Sequence, residues 1–239
     1  MIEISKIRSS LQKEIARQDR PENLVNYQQF FKEPLAQPVG LRGPVLKQIS
    51  NLVYKDIKDE TAADIIELCD QLLETDLRYR MFFAFDWTVR QKEHFRPAEF
   101  KRFERWLKSY VDNWGACDSL CCGPIGLLLA QNPVLVTKTH PWRKSKNRWL
   151  RRASAVSLIV PVKQGLLVDE VFHAADVLLM DQDDMIQKGY GWMLKEATRH
   201  FPGEVFAYVM KHKAHMPRTA LRYAIEKMPQ KRRKQAMAK

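Results

Sequence analysis

The sequence predicts an all-α protein, because its apolar residues recur with the period of helices and long alternating strand patterns are absent. One buried helix face is marked by the i, i+3, i+4, i+7, i+8 spacing of Ile65, Leu68, Cys69, Leu72 and Leu73. The same pattern returns between residues 167 and 179. Only residues 134–136 and 158–162 are short and β-branched enough to suggest strands.

A weak internal repeat accompanies this helical pattern. Similar helix-like segments begin at intervals of 36 residues, at Leu77, Asn113, Trp149 and Met185, and a fifth begins at Arg218. Each segment follows another amphipathic helix, and paired helices at this spacing are typical of an α-solenoid of HEAT type. We therefore expect residues 1–239 to form a single domain, an α-solenoid of HEAT-like two-helix repeats with a concave basic face. A non-repetitive helical bundle is the alternative.

Composition narrows the class of protein. With 45% hydrophobic and 10% aromatic residues in 239, the chain is too apolar for intrinsic disorder. It has no apolar run near the ~18 residues that cross a bilayer, and its first ten residues lack the apolar core of a signal peptide. Four cysteines are too few for a disulfide scaffold, so we expect a cytoplasmic protein with reduced thiols.

The net charge of +12 is concentrated in the second half of the chain. Residues 119–168 contain eight basic side chains and no Asp or Glu, and residues 211–239 contain ten basic side chains and one acidic one. Ordinary surfaces mix both signs, so this pattern favours a polyanionic partner such as nucleic acid. A membrane surface is less favoured, because no strongly amphipathic basic helix accompanies the block. We expect residues 230–239 to be a flexible basic tail.

Three segments contain residues that could take part in catalysis or ligand binding. Trp114 and Asp118 are four residues apart, so on a helix they share one face, and Asp118 is the last acid before the basic block. Of the tandem arginines 151 and 152, one should face inward, where it could orient the Asp118 carboxylate. A salt bridge between repeats and a core tryptophan are the structural alternatives.

The third segment, 187–196, places two glycines and Trp192 within one helix. Each glycine costs ~1 kcal/mol relative to alanine, so close approach of a neighbouring helix or of DNA is expected there. In a strict 36-residue register, Trp114 and Asp118 fall at positions 2 and 6 of their segment, whereas Arg152 and Trp192 fall at 4 and 8. The repeats must therefore slip by about two residues if these side chains are to meet.

The motifs Trp114-x-x-x-Asp118, Trp149-x-x-Arg152 and Gln-Lys-x-x-Gly-Trp-x-Leu-Lys-Glu ending at Glu196 occur in this order. Together they resemble the AlkD-like DNA alkylation-repair glycosylases, which are built from HEAT-like repeats. The resemblance extends from about Tyr27 to about Tyr223 and covers most of the chain.

This resemblance implies a DNA glycosylase that releases cationic N3- or N7-alkylpurines from duplex DNA. Asp118 is similar to the family's catalytic carboxylate, Trp114 and Trp192 to the aromatics that flank the lesion, Arg152 to the neighbouring arginine, and Tyr27 to an aromatic that closes the pocket. Further DNA contacts are expected from Arg148, Arg151, Lys188, Arg218 and Arg222.

A concave one-sided trough favours a monomer. We expect no cofactor, metal or membrane partner, and association with the nucleoid when the protein is bound to DNA. The cysteines at 117, 121 and 122 have no histidine nearby in sequence, so small buried helix residues are expected there rather than a zinc site. Some branches of the family bind DNA without excising bases, so a non-catalytic binder of damaged or branched DNA is the main alternative. A protein-interaction scaffold is the third.

Overall fold

The computed structural model describes residues 3–20, 22, 27–30 and 40–238, and these residues contain helices and no strand. The all-α prediction is confirmed. The segment 133–144, which includes one strand-like run, forms 3-10 helix, and the other run lies in a short α-helix. None of the described helices is both long and apolar enough to cross a membrane. The chain divides into two compact units, Met1–Phe95 and Arg96–Lys239.

The first unit contains four α-helices among its described residues, with short 3-10 helices at Tyr27–Phe30 and Lys92–His94: α1 (Ile4–Gln18), α2 (Gly43–Tyr54), α3 (Ala62–Glu74) and α4 (Arg80–Val89). Thr61 caps α3 by accepting a hydrogen bond from the Asp64 amide at 3.1 Å. The apolar stripe predicted between residues 65 and 73 is buried, and α3 packs against α4.

The second unit contains the remaining helices: α5 (Glu99–Ser109), α6 (Trp114–Leu120), a π-helical segment (Cys121–Ile125), α7 (Gly126–Gln131), a 3-10 segment (Pro133–Lys144), α8 (Arg148–Val156), α9 (Ile159–Val162), α10 (Val168–Leu178), α11 (Asp184–Ala197), α12 (Pro202–His212), α13 (Arg218–Ala224) and α14 (Gln230–Met237). The first helices of successive pairs are α5, the 3-10 segment, α10 and α12. The second helices, α6, α8, α11 and α13, pack each against the next, and we call them the second row. This solenoid-like stacking agrees with the predicted fold class.

Capping side chains determine where three of the four helices of the second row begin. Asn113 accepts a hydrogen bond from the Ala116 amide, Asn147 from the Trp149 amide and Asp183 from the Met185 amide, at 2.8–2.9 Å. Asn and Asp are favoured at this position because their side-chain oxygens satisfy amides that have no partner within the helix. Helices α6, α8 and α11 consequently begin at residues 114, 148 and 184, and α13 begins at 218 after Pro217, so the starts do not follow a uniform interval of 36.

With these helix starts, the two-residue offset between the Trp114–Asp118 pair and the Arg152–Trp192 pair in the 36-residue register disappears. Counted from the first residue of its helix, Trp114 is at position 1, Asp118 and Arg152 are both at position 5, and Trp192 is at position 9. These positions are separated by multiples of four and follow one face of a helix. The expected slip of two residues is therefore present.

Gly191 explains how closely α11 and α13 approach. A Cβ atom at this position would lie 2.7 Å from the Cβ of Tyr223 and 2.8 Å from the carbonyl oxygen of Ala220. Both distances are shorter than van der Waals contact, so a side chain cannot be added unless α13 moves. The close approach expected from the sequence is supplied here by a neighbouring helix.

The C-terminal segment differs from the flexible tail that the sequence predicts. Residues 230–237 form α14, and Ala236 in this helix is buried. Lys213 donates from Nζ to the carbonyls of Gln235 and Ala238 at 3.1 and 2.8 Å, and Arg232 donates to the carbonyl of Pro202 at 2.9 Å. These contacts to α12 and its C-terminal end hold a helix whose own sequence is almost entirely polar.

Candidate functional site

An ion pair between α6 and α8 is the centre of the candidate site. Arg152 donates from Nε to Oδ1 of Asp118 and from Nη2 to Oδ2, both at 2.8 Å. The arginine side chain is 6% exposed and the carboxylate 18%. The arginine is thus the inward member of its tandem pair, and the acid keeps an accessible edge.

Arg152 is held by α11 as well. Its Nη1 donates to the carbonyl of Met185, and a Cβ atom at Gly189 would lie 3.4 Å from both Cγ and Nη1 of the arginine. Burial alone would lower the pKa of Arg152, but the hydrogen bonds and charge of Asp118 outweigh it and raise that pKa above its ordinary value. The guanidinium is therefore a permanent cation that connects three helices of the second row.

Two half-buried indoles lie on the helix faces that meet this ion pair. Trp114 is one turn before Asp118 on α6, and Trp192 lies on α11 three residues after Gly189. Residues 185, 189 and 192 follow one stripe of α11, so Trp192 belongs to the side that contacts Arg152. The sequence-predicted quartet is thus carried by three packed helices on corresponding faces.

Trp192 is fixed by a contact that the sequence reasoning missed. Its Nε1 donates to Oε1 of Glu196 at 3.2 Å, and Lys227 donates to both oxygens of the same carboxylate at 2.9 Å. Burial raises the pKa of Glu196, but Lys227 and Trp192 outweigh this and hold it below its usual range. The four-residue spacing between Trp192 and Glu196 could have predicted their contact. Nothing in the sequence indicated the contact with Lys227, which lies 31 residues after Glu196.

The arginines of the acid-free block are largely neutralised within the protein. Arg148 pairs with Asp183 through Nε at 2.8 Å, and Arg151 pairs with Asp181 at 2.7 Å. Lys188 lies 3.4 Å from Asp184 on its own helix. The carboxylates that neutralise Arg148 and Arg151 therefore lie outside the block.

Three further residues were expected to contact DNA: Arg218, Arg222 and Tyr27. Arg218 and Arg222 are exposed on α13 and form no ion pair with any residue in the described part of the chain. Tyr27 begins a 3-10 helix in the first unit, but its side chain lies outside what the structure describes.

The cysteines beside Asp118 have the properties of packing residues and not of reactive thiols. Cys117 and Cys121 are buried, and burial raises the pKa of the Cys121 thiol well above its ordinary value. Burial, and then the charge of Asp118, raise the pKa of Cys122 to about 12. Both thiols stay protonated at neutral pH, so neither is an activated nucleophile.

A second polar cluster, which the sequence did not reveal, lies between the 3-10 segment and α10. The ligand-type atoms of His140, Glu170 and His173 lie within 4.8 Å of one another, a spacing that could hold a metal ion. However, Arg143 already contacts two of these atoms, Glu170 Oε2 at 2.7 Å and His173 Nδ1 at 2.8 Å. The guanidinium is the cation of this cluster.

Replacing Glu170 with Gln should lower the free energy of unfolding by about 2 kcal/mol at neutral pH, because the buried Arg143 loses its carboxylate. Burial raises the pKa of Glu170, but Arg143 and His140 outweigh it and lower that pKa overall. The stabilisation is thus present above the ordinary pKa and is lost as the pH falls through the lowered one. The free energies of unfolding of the wild type and Glu170→Gln, measured by denaturant titration, should therefore converge as the pH is lowered from neutral to acidic. Asp169→Asn, at the exposed neighbouring position, should change stability by less than about 0.5 kcal/mol.

Comparison with known proteins adds a family to this geometry. The profile of a family described as DNA alkylation repair enzyme matches residues 11–228. A solved structure from Enterococcus faecalis, described as a predicted DNA alkylation repair enzyme, superposes with a TM-score of 0.70 at 15% identity and covers 93% of this chain and 96% of its own. At that identity the superposition is evidence for the fold alone. No curated protein sequence matches.

Proposed function

Because the chain belongs to the DNA alkylation repair enzyme family, we propose that it is a DNA glycosylase that hydrolyses the N-glycosidic bond of N3- or N7-alkylated purines in duplex DNA. The observation that carries this proposal is the Asp118 carboxylate, held at both oxygens by Arg152 yet partly exposed, with an indole on the matching face of each of two helices.

The chemistry suits a lone carboxylate. A purine alkylated at N3 or N7 is cationic, so it leaves with the bond electrons as a neutral base, and no acid has to protonate it, in contrast to ordinary glycosidases. Positive charge then develops on the deoxyribose, where a fixed anion stabilises the transition state. Water adds to the anomeric carbon and its proton passes to Asp118 or to solvent. Asp118 both stabilises the charge and positions this water.

Arg152 supports this role by fixing the carboxylate. It uses one lone pair on each oxygen of Asp118, which leaves the remaining lone pairs for water and sugar. Its own position is determined by the carbonyl of Met185 and the close approach of Gly189. The acid is therefore oriented before substrate binds, and no reorganisation is needed during the reaction.

The indoles provide selectivity for the charged lesion. The face of an indole attracts a cation by ~0.5–2 kcal/mol, and more when water is excluded. Trp114 and Trp192 would thus favour an alkylated purine over a neutral one without reading base edges. The hydrogen bond from Trp192 to Glu196 keeps that ring in place.

The test of this proposal is base release. The protein is incubated in excess with methylated duplex DNA, and free alkylpurine is separated and quantified against DNA alone. We expect release well above the spontaneous rate, with unmodified purines retained. Tight binding without release would refute the glycosylase proposal and favour the non-catalytic binder.

Arg152→Lys should lower the release rate about 10- to 100-fold, because an ammonium group cannot hold both oxygens of Asp118. The same change should reduce the free energy of unfolding by about 1–3 kcal/mol. Single-turnover kinetics and denaturant unfolding measure the two effects. Arg148→Lys, at a pair whose arginine is 29% exposed, should cost less than about 1 kcal/mol. Equal stability losses in the two variants would contradict a special role for the buried pair.

A further inference from the structure

One group of cations without an ion-pair partner among the described residues lies at the C-terminal end of the second row. Glu226 is the sole acidic residue in 211–239, and it pairs with Lys195 of α11 at 3.2 Å. Lys227 is committed to Glu196. No carboxylate of this segment is therefore left for the arginines and lysines of α13 and α14.

Three of these cations line one cleft between α13 and α14. The cleft has a volume of about 480 Å³ and is lined by Arg222, Ile225, Gln230, Arg233, Lys234 and Met237. The three cationic side chains form no ion pair with any residue from 40 to 238 or with the described N-terminal residues. Like charges gathered around one cleft repel one another, and an anion bound there would relieve the repulsion.

The cleft has a defined shape because α14 is docked. Arg232 binds the Pro202 carbonyl and lies 5.0 Å from the ring centre of Phe206 on α12. Lys213 caps the last carbonyls of α14, where its positive charge also complements the helix dipole. Arg233 and Lys234 are therefore presented at fixed positions and not on a loose tail.

Arg222 occupies a helix position equivalent to those of two residues of the candidate site. Arg222 is at position 5 of α13, the position that Asp118 and Arg152 occupy in α6 and α8. Equivalent positions in stacked helices point to the same side of the stack. Helix α14 itself lies beyond residue 228, where the match to the family ends.

We propose that this cleft, formed by Arg222, Arg233 and Lys234 over Ile225 and Met237, binds the phosphate backbone of duplex DNA outside the lesion. Duplex DNA is the occupant because it is the substrate of the proposed function, on which this inference rests, and because its phosphates follow one another at spacings that three neighbouring cations can match. The apolar floor suits the sugar edges between the phosphates. Contacts of this kind increase affinity for any sequence and do not select a base.

The test neutralises the cleft and measures DNA binding in place of catalysis. In the variant Arg222→Gln/Arg233→Gln/Lys234→Gln, the affinity for a labelled undamaged duplex should fall about 10- to 100-fold. The slope of log affinity against log salt, measured between about 50 and 200 mM, should decrease by about 2 to 3, since each lost phosphate contact removes about 0.9.

The matched control removes the same charge elsewhere: Lys6→Gln/Lys13→Gln/Lys101→Gln replaces three exposed lysines on α1 and α5. It should keep the affinity within about threefold of the wild type and leave the slope unchanged, because salt-dependent affinity comes from direct phosphate contacts. Circular dichroism and thermal unfolding verify that both variants fold. Since undamaged DNA is used, the result stands whether or not bases are released.

An unchanged slope in the cleft variant, or an equal decrease in the control, overturns the proposal. A further arm uses vesicles that contain anionic lipid. If the cleft variant loses vesicle binding but keeps its affinity for DNA, the cleft belongs to a membrane surface and the proposal is also overturned.

Discussion

Replacing Gly191 with Ala is expected to destabilise the second unit by about 3 kcal/mol. The new Cβ would lie 2.7 Å from the Cβ of Tyr223 and 2.8 Å from the Ala220 carbonyl oxygen, and backbone cannot yield as a flexible side chain can. Alanine is favoured over glycine in a helix by about 1 kcal/mol, which offsets only part of the cost. Thermal unfolding should show a transition lowered by about 6–12 °C.

Gly203→Ala is the control for this prediction. Gly203 lies in the first turn of α12, and a Cβ atom there would have no neighbour within 4 Å. This variant should be neutral or stabilised by up to about 1 kcal/mol. If both variants have the same stability as the wild type, the close packing of α11 against α13 is wrong.

Much of the fold could be predicted because the relevant signals are local. Asn113 and Asn147 cap the helices that begin at the next residue, and an apolar stripe of period 3.6 determines which face is buried. The inward arginine of the tandem pair and the close approach at the segment 187–196 also followed from local arguments. The register between repeats followed from the requirement that Asp118 and Arg152 meet, not from a uniform period.

The remaining features depend on partners that are distant in sequence. An acid-free block indicated an anion-binding surface, but Arg148 and Arg151 find carboxylates 35 and 30 residues further on. Such pairing depends on which helices stack, and composition does not report it. Helix α14 was missed for the same reason, since the side chains of Lys213 and Arg232 stabilise it through tertiary contacts.

Asp118→Asn is expected to reduce the single-turnover rate of base release about 10³-fold while DNA binding is retained. The amide is almost isosteric with the carboxylate but carries no charge, so it cannot stabilise the positive sugar. It also leaves the buried Arg152 without its counter-charge, which should cost about 2–4 kcal/mol of stability. Folding at the assay temperature is therefore verified by circular dichroism.

Asp86→Asn is the matched control for the loss of a shielded carboxylate. Asp86 lies in the first unit, its side chain is 16% exposed, close to the 18% of Asp118, and it pairs with Arg90 at 2.7 Å. Its removal should also reduce stability. We expect Asp86→Asn to release bases at a rate within about twofold of the wild type, because the rate depends on the charge of Asp118 and not on the stability of the protein.

The most direct measurement is the release of alkylpurine from one methylated duplex by wild type, Asp118→Asn and Asp86→Asn, at protein concentrations that bind all of the DNA. We predict rapid release by the wild type and Asp86→Asn, and release near the spontaneous rate by fully bound Asp118→Asn. A folded, DNA-bound Asp118→Asn that releases bases within about tenfold of the wild-type rate would contradict the role assigned to this carboxylate.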